Sequence, residues 1–485
     1  MPVACNSANL SRCILLIIGF GIVRFGVGGY RPEKPRGEMM MQDWLKMSAA
    51  DLGRGIAAQE IDPVALTQRF LDAIDSHPHR DRIYSEVTRE RALAEADAAA
   101  QRAQMGLRRS PLDGVPISWK DLFDSAGSAT ESGSDLLKGR VPEQDALVLE
   151  TATAMGSVCL GKTHMSELAF SGLGLNPVKA TPPCINDESA VPGGSSSGAA
   201  ASVAFDLAAG AIGSDTGGSV RIPSAWNDLV GLKTTSGRIS LVGVVPLCLK
   251  FDTIGPLVRS VEDAGLFLGL LEGTSGPDLR GDTSLKGRRF ADLQTIAQED
   301  LDPLVAQSYA DALQKLRAAG AEIVPLEVPE LAEAMALSAI VFTTEAYGLW
   351  KEVIEANPEV MFNKILERFR SGANFSGADY VAAWGRLENC RMAWDQVTAG
   401  FDGVLSPSCP ILPPNLNRLL QEEDYYVQAN LLTLRNTRIG NLMGTCGLSL
   451  PTGTPSCGLQ VLGQPDCEEA LLRVGIGLEA ALAAD

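Results

Sequence analysis

One stretch constrains this chain more than any other: Gly193 to Ser224, GGSSSGAAASVAFDLAAGAIGSDTGGSVRIPS. It is built almost wholly of Gly, Ala and Ser, with Asp215 ahead of the second Gly pair and Arg221 after it. Small residues at this density mean that backbone must come close to something. Glycine reaches dihedrals closed to other residues and exposes its N–H without a side chain in the way. There are two such turns, GGSSSG and DTGGS, joined by an apolar run that could cross between them. A flexible linker would share the composition, but not Val203, Ala204, Phe205, Leu207 and Ile212 between its glycines. A nucleophile loop fits better. The backbone N–H groups of Thr216, Gly217 and Gly218 beside Ser219 are the parts of an oxyanion hole, and the first turn offers Ser195, Ser196 and Ser197.

The stretch resembles the signature of the amidase signature family from Gly193 through Ser224. A match over about thirty positions is far more specific than a short motif. The likeness extends more loosely from Asp51 to Ala483. It implies an α/β fold with a large mixed, twisted β-sheet flanked by many helices. It also implies hydrolysis of a carboxylic amide, at a C–N bond other than a peptide bond, to an acid and ammonia or an amine. By the resemblance Ser219 is the nucleophile that forms the acyl-enzyme, and Lys120 stands where the family keeps its catalytic lysine. Ser195 stands at the relay serine, which in the family follows a cis peptide bond, and Thr216, Gly217 and Gly218 form the oxyanion hole. No cofactor and no metal are expected. Asp215 and Arg221 flank the loop and read as braces behind it, the plain alternative being a surface salt bridge. Ser196 and Ser197 read as bonding local backbone.

The residues point the same way without the family. A hydroxyl loses its proton as it attacks a carbonyl, so a base must be within reach. The chain holds only three histidines, His77, His79 and His164, and the first two sit in a polar SHPHR segment. A histidine base or a histidine metal site would have to draw on His164. Lys120 is the better candidate, because Trp119 and Leu122-Phe123 beside it argue for burial, and burial lowers a lysine pKa toward the neutral, basic form. In PLDGVPISWKDLFD, the segment Val115 to Trp119 reads as a buried strand that delivers Lys120 and Asp121 at its carboxyl end, where open α/β sheets place their sites.

Two readings remain within the family. One is a stand-alone amidase acting on a small-molecule amide. The other is the glutaminase (A) subunit of a tRNA-dependent amidotransferase, which needs partner subunits. In such proteins the segment after Ser171 reads closer to TENSAFGPTRNPW, whereas here it is SGLGLNPVKATPPCIND. That departure weakens the second reading. The formal net charge of −18 also argues against direct binding to a nucleic-acid backbone. A homodimer is left open.

A third reading comes from GSVCLGKT, Gly156 to Thr163, which satisfies the Walker pattern G-x-x-x-x-G-K-[ST]. A phosphate loop follows a strand and keeps its variable positions small. Here they are Ser, Val, Cys and Leu, which read as strand, and a helical pattern over Ala146 to Met155 precedes them. Nucleotide binding is therefore disfavoured, and Lys162 and His164 read as structural or rim residues.

At 485 residues the chain exceeds the usual single core, so two subdomains or one large α/β domain are expected. Residues 1–38 stand apart: CILLIIGFGIV is an apolar run of eleven residues, short of the roughly twenty a spanning helix needs. They read as a non-native or targeting extension, with translation beginning at Met39, Met40 or Met41, and no membrane association is expected. The amidase domain then covers 39–485, its signature core at about 110–260. A helical region at about 300–400 would, by the resemblance, shape the substrate pocket. Ten cysteines are scattered without close pairing, which suits free thiols in a reducing, cytoplasmic compartment. Further elements are expected as helices opening at Ser48 and at Asp62-Pro63, over Arg91–Met105, Leu301–Ala319, Pro329–Ile354 and Phe362–Thr398, and from Cys467. Strands are expected at Ser157–Leu160, Ala321–Val328, Phe401–Ser408, Asn441–Leu450 and Gly458–Gly463.

Overall fold

A computed structural model describes residues 44–484; the expectations for 1–38 and for the starting methionine lie outside them. The described residues build one mixed sheet of eleven strands. In chain order these are β1 Tyr84–Val87, β2 Pro116–Lys120, β3 Val158–Thr163, β4 Gly210–Ser214, β5 Val230–Lys233, β6 Ile254–Val258, β7 Arg289–Leu293, β8 Glu322–Leu326, β9 Gly403–Pro407, β10 Gly447–Pro451 and β11 Gly458–Leu462. They lie side by side as β1-β3-β2-β4-β6-β5-β10-β11-β9-β7-β8. Two parallel blocks, β3-β2-β4 and β9-β7-β8, flank an antiparallel middle. Every residue of β2, β3 and β4 is buried, as expected of parallel strands covered on both faces. This is the α/β architecture anticipated from the sequence.

The local start signals act as read. Ser48 caps the helix Ala49–Ala57 by accepting the Asp51 N–H, and Asp62 caps Pro63–Ser76 by accepting the Ala65 N–H. The apolar faces of these helices, Leu52 and Ile56 with Phe70, Leu71 and Ile74, are buried against the core. Between the two glycine turns the apolar run forms the helix Ser197–Ala204 and then β4.

Three expectations need correction. Phe362–Thr398 is not one helix but two, Asn363–Arg370 and Gly377–Thr398, because Ser376 and Asp379 form a capping box that starts the second. Asn441 and Leu442 end a helix, Glu423–Leu442, instead of opening a strand, and only Gly447–Pro451 is extended. That helix buries Asn430, Thr433, Asn436, Thr437, Arg438 and Asn441 among Tyr426, Ala429, Leu434, Ile439 and Leu442, so polar residues interrupt its inward face and blur the apolar periodicity. Finally, β3 runs three residues beyond Leu160 and takes Gly161, Lys162 and Thr163 with it. The Walker-like residues are a buried strand, not a loop feeding a helix, and the nucleotide reading falls.

Among the described residues no helix is long and apolar enough to cross a membrane.

Candidate active site

The parallel strands β2 and β4 are in register from Ile117 with Gly210 to Trp119 with Ile212, so both end at the same edge of the sheet. Lys120 is the last residue of β2 and Ser214 the last of β4. The Lys120 ammonium is fully buried and donates to Ser195 Oγ at 2.7 Å and to Ser214 Oγ at 2.8 Å. Burial brings its pKa down to about 7, against the opposing pull of the Asp252 and Asp215 carboxylates. Ser195 enters from the first glycine turn, where the Gly194–Ser195 peptide is cis. A Cβ on Gly194 would lie 2.6 Å from the Gly174 nitrogen, so the first turn must be glycine there.

The second turn is built around Asp215. Its carboxylate accepts the N–H of Gly218 at 2.8 Å and of Val220 at 3.2 Å, the Arg221 guanidinium at 2.9 and 3.0 Å, and Asn441 Nδ2 at 2.9 Å. These partners, Arg221 foremost among the charges, outweigh the cost of burial and hold the carboxyl far below its usual range. Arg221 spends its remaining donors on Thr437 O, Gln460 Oε1 and Asn441 Oδ1, each at 2.7 Å. Both side chains are wholly inaccessible. The pair is thus a buried brace and not a surface salt bridge.

Gly218 sits at φ +133° with Thr437 pressed against it, and a Cβ would run into the Thr437 hydroxyl. Its N–H, expected among the oxyanion-hole donors, is instead taken up by the Asp215 carboxylate at 2.8 Å. The N–H groups of Thr216, Gly217 and Ser219 have no acceptor among the described residues. Thr216 is anchored through its own hydroxyl, which donates to Asp252 Oδ1 at 2.6 Å, and the Gly217 carbonyl accepts from Thr437 Oγ1 at 2.9 Å. Burial pushes Asp252 up to about 6 in spite of the hydrogen bonds it accepts from Thr216, Leu247 and Cys248.

Ser219, Thr216 and Gly217 face a cavity of about 30 Å³. Larger hollows exist, including one of about 310 Å³ between Arg288, Trp394, Asp402 and Arg473. None of the expected site residues lines that one, so chemistry and not size selects the small cavity.

Residues read as bystanders are placed as such. Ser196 Oγ bonds the Ser214 backbone and Ser197 Oγ the His164 carbonyl. Lys162 is buried against Asp121 at 3.0 Å, with Thr130 Oγ1 at 2.9 Å and Ala129 O at 3.2 Å. His164 is held neutral, its pKa lowered to about 4 by burial. Among the described residues no cluster of His, Cys, Asp and Glu could hold a metal ion.

A profile of the family described as Amidase matches residues 65–472. The 2-amino-5-chloromuconic acid deaminase of Comamonas testosteroni is 33% identical over 90% of this chain and 96% of its own. The A subunit of the glutamyl-tRNA(Gln) amidotransferase of Anaeromyxobacter dehalogenans is 31% identical over 91% of this chain and 97% of its own. A crystal structure of an amidase superposes with a TM-score of 0.80 at 29% identity, covering 90% of this chain and 99% of that one. The chain belongs to the amidase family. Its activity is amide hydrolysis on C–N bonds other than peptide bonds.

Several residues of this amidase's site are invisible to motif reading. Ser214, the second acceptor for Lys120, is legible only as the residue before Asp215. Asp252, Thr437, Asn441 and Gln460 come from three later segments with no local signature. The cavity wall is also wider than the 300–400 region expected to shape it. Phe342 and Arg368 come from there, but Phe170, Leu247, Leu434 and Arg438 do not.

Proposed function

We propose that this amidase cleaves its substrate through an acyl-enzyme on Ser219, with Lys120 as the base and Ser195 as the proton relay between them. The observation that carries the reading is the 2.7 Å hydrogen bond from a fully buried Lys120 ammonium to Ser195 Oγ. With its pKa near 7, a large share of Lys120 is neutral at neutral pH and able to accept a proton. Ser219 Oγ attacks the amide carbonyl carbon and passes its proton to Ser195, whose own proton moves to Lys120. The oxyanion forms beside Thr216, Gly217 and the loop that Gly218 and Asp215 hold in shape. Removing one donor of such a hole typically costs about 3 kcal/mol of barrier. As the tetrahedral species collapses the C–N bond breaks, the relay returns the proton to the leaving nitrogen, and ammonia or an amine departs. Water then attacks the acyl-Ser219 ester by the same route and releases the acid. The relative named as a deaminase supports ammonia as one such leaving group.

The enzyme acts without partner subunits in this reading, in the cytoplasm, where the free thiols of its buried cysteines suit a reducing compartment. The glutaminase component of an amidotransferase is the second reading, favoured by the likeness to such proteins over nearly the whole chain. Purified protein assayed alone on simple primary amides and on glutamine separates the two. Turnover of simple amides supports the stand-alone enzyme; turnover of glutamine only with added partner subunits overturns it. Intact-mass measurement with an activated acyl donor tests the nucleophile, with one acyl adduct expected on the native enzyme and none on Ser219→Ala. An adduct persisting at Ser195 in that variant would move the nucleophile there.

A further inference from the structure

The wall of the Ser219 cavity holds two cations and no anion. Arg368, from the helix Asn363–Arg370, lies over the Phe170 ring with its guanidinium carbon 4.4 Å from the centroid, and donates one N–H to the Phe170 carbonyl at 2.9 Å. Arg438, in the helix Glu423–Leu442, is 8% exposed. Among the described residues its guanidinium makes no hydrogen bond and no ion pair. The charge that bears on it among the described residues is the like charge of Arg368. Burial lowers both guanidinium pKa values, Arg368 to about 10 and Arg438 to about 9, leaving both protonated at neutral pH. The buried carboxylate on the Arg368 side, Glu167, is occupied elsewhere: it accepts from Ser134 Oγ at 2.7 Å and from the Phe362 N–H at 2.9 Å. The Arg438 nitrogens are not sealed in the protein but open onto the cavity, where a guanidinium with five donors is free to take an acceptor that enters. The rest of the wall is apolar, with Phe170, Leu247, Phe342 and Leu434.

We infer that Arg438, with Arg368 beside it, binds a carboxylate of the substrate, and that this amidase takes amides whose acyl part ends in a second, ionised carboxyl group: half-amides of short dicarboxylic acids. The identification of the end to be cleaved rests on the Ser219 reading above. The guanidinium fork matches a carboxylate in two parallel hydrogen bonds. The apolar wall of Phe170, Leu247, Phe342 and Leu434 suits the carbons between the two ends. A neutral amide of the same length would leave both cations unpaired, so rejection of neutral amides is built into the same wall.

The test compares kcat/KM for a half-amide, such as the monoamide of a four- to six-carbon dicarboxylic acid, with that for the matched neutral diamide. The native enzyme is expected to prefer the acid by at least about a hundredfold, the scale of discrimination that an unpaired buried polar site can impose. Arg438→Met should lower that ratio at least tenfold, chiefly through KM, and Arg438→Lys should restore part of it. Binding of the free dicarboxylate to Ser219→Ala, read by calorimetry, gives a measurement that needs no turnover. It should weaken at least tenfold when Arg438→Met is added. Turnover of neutral amides with no preference for the acid, or a ratio untouched by Arg438→Met, overturns the carboxylate site and leaves the Ser219 mechanism standing. Dicarboxylate binding that depends on Arg438 in a protein whose Ser219 is never acylated keeps the site and overturns the mechanism.

Discussion

Two buried arginines belong to the surroundings of the Ser219 turn, and they are in opposite states. Arg221 is inaccessible, paired with Asp215, and satisfied by Thr437, Gln460 and Asn441. Arg438 is nearly as buried and, among the described residues, has another arginine for electrostatic company and no acid. They are tied to one helix: Arg221 bonds it through Thr437 O and Asn441, and Arg438 is the residue after Thr437. A satisfied buried charge holds backbone in place, and its network is closed. An unsatisfied one is held ready for something that is not protein. The contrast separates scaffold from binding surface more sharply than burial alone, since buried polar groups in folded proteins are almost always partnered.

The comparison breaks first, and most visibly, in stability. Arg221→Met leaves the Asp215 carboxylate buried without its cation and should cost roughly 3–5 kcal/mol of unfolding free energy. Urea titration should show a much lower midpoint, with loss of the turn and of activity together. Arg438→Met removes a charge that pairs with nothing, so its stability should equal or exceed that of the native protein. Equal losses in the two variants would mean that Arg438 too is scaffold.

Next comes another buried cation, Lys120, which must be neutral to act as the proposed base. Its pKa is lowered to about 7 by burial, so the competent form is lost as pH falls through that value. The kcat/KM profile should drop about tenfold per unit below it, near a hundredfold by pH 5, or about 2.7 kcal/mol of barrier. A profile flat between pH 5 and 8 would remove Lys120 from the base role.

The smallest effect expected is at Lys162, buried like Lys120 but closed off by Asp121, Thr130 and Ala129. Lys162→Ala should cost hydrolysis no more than about tenfold, near 1.4 kcal/mol, while lowering thermal stability by stranding Asp121. Loss of activity as deep as in Lys120→Ala, with stability intact, would make Lys162 part of the chemistry.

The chain itself determined what depends on short range. The glycines at 193, 194 and 218 specify turns, because positive φ at Gly193 and Gly218 and close backbone approach at Gly194 exclude a Cβ. The largely apolar run before Lys120 specifies a strand whose end must present that lysine, and the serines of both turns follow from their places in them. Tertiary structure decided what depends on surroundings. Whether Lys120 is a base is set by its burial beside Ser195, 75 positions away. Whether Asp215 and Arg221 form a surface pair or a closed brace is set by Asn441 and Gln460, more than two hundred positions on. Arg438 sits in a helix whose buried face mixes polar and apolar residues, and its meaning lies in what surrounds it. Desolvation and pairing are properties of three-dimensional neighbourhoods, so a charge in the sequence cannot reveal whether it is satisfied until the chain has packed around it.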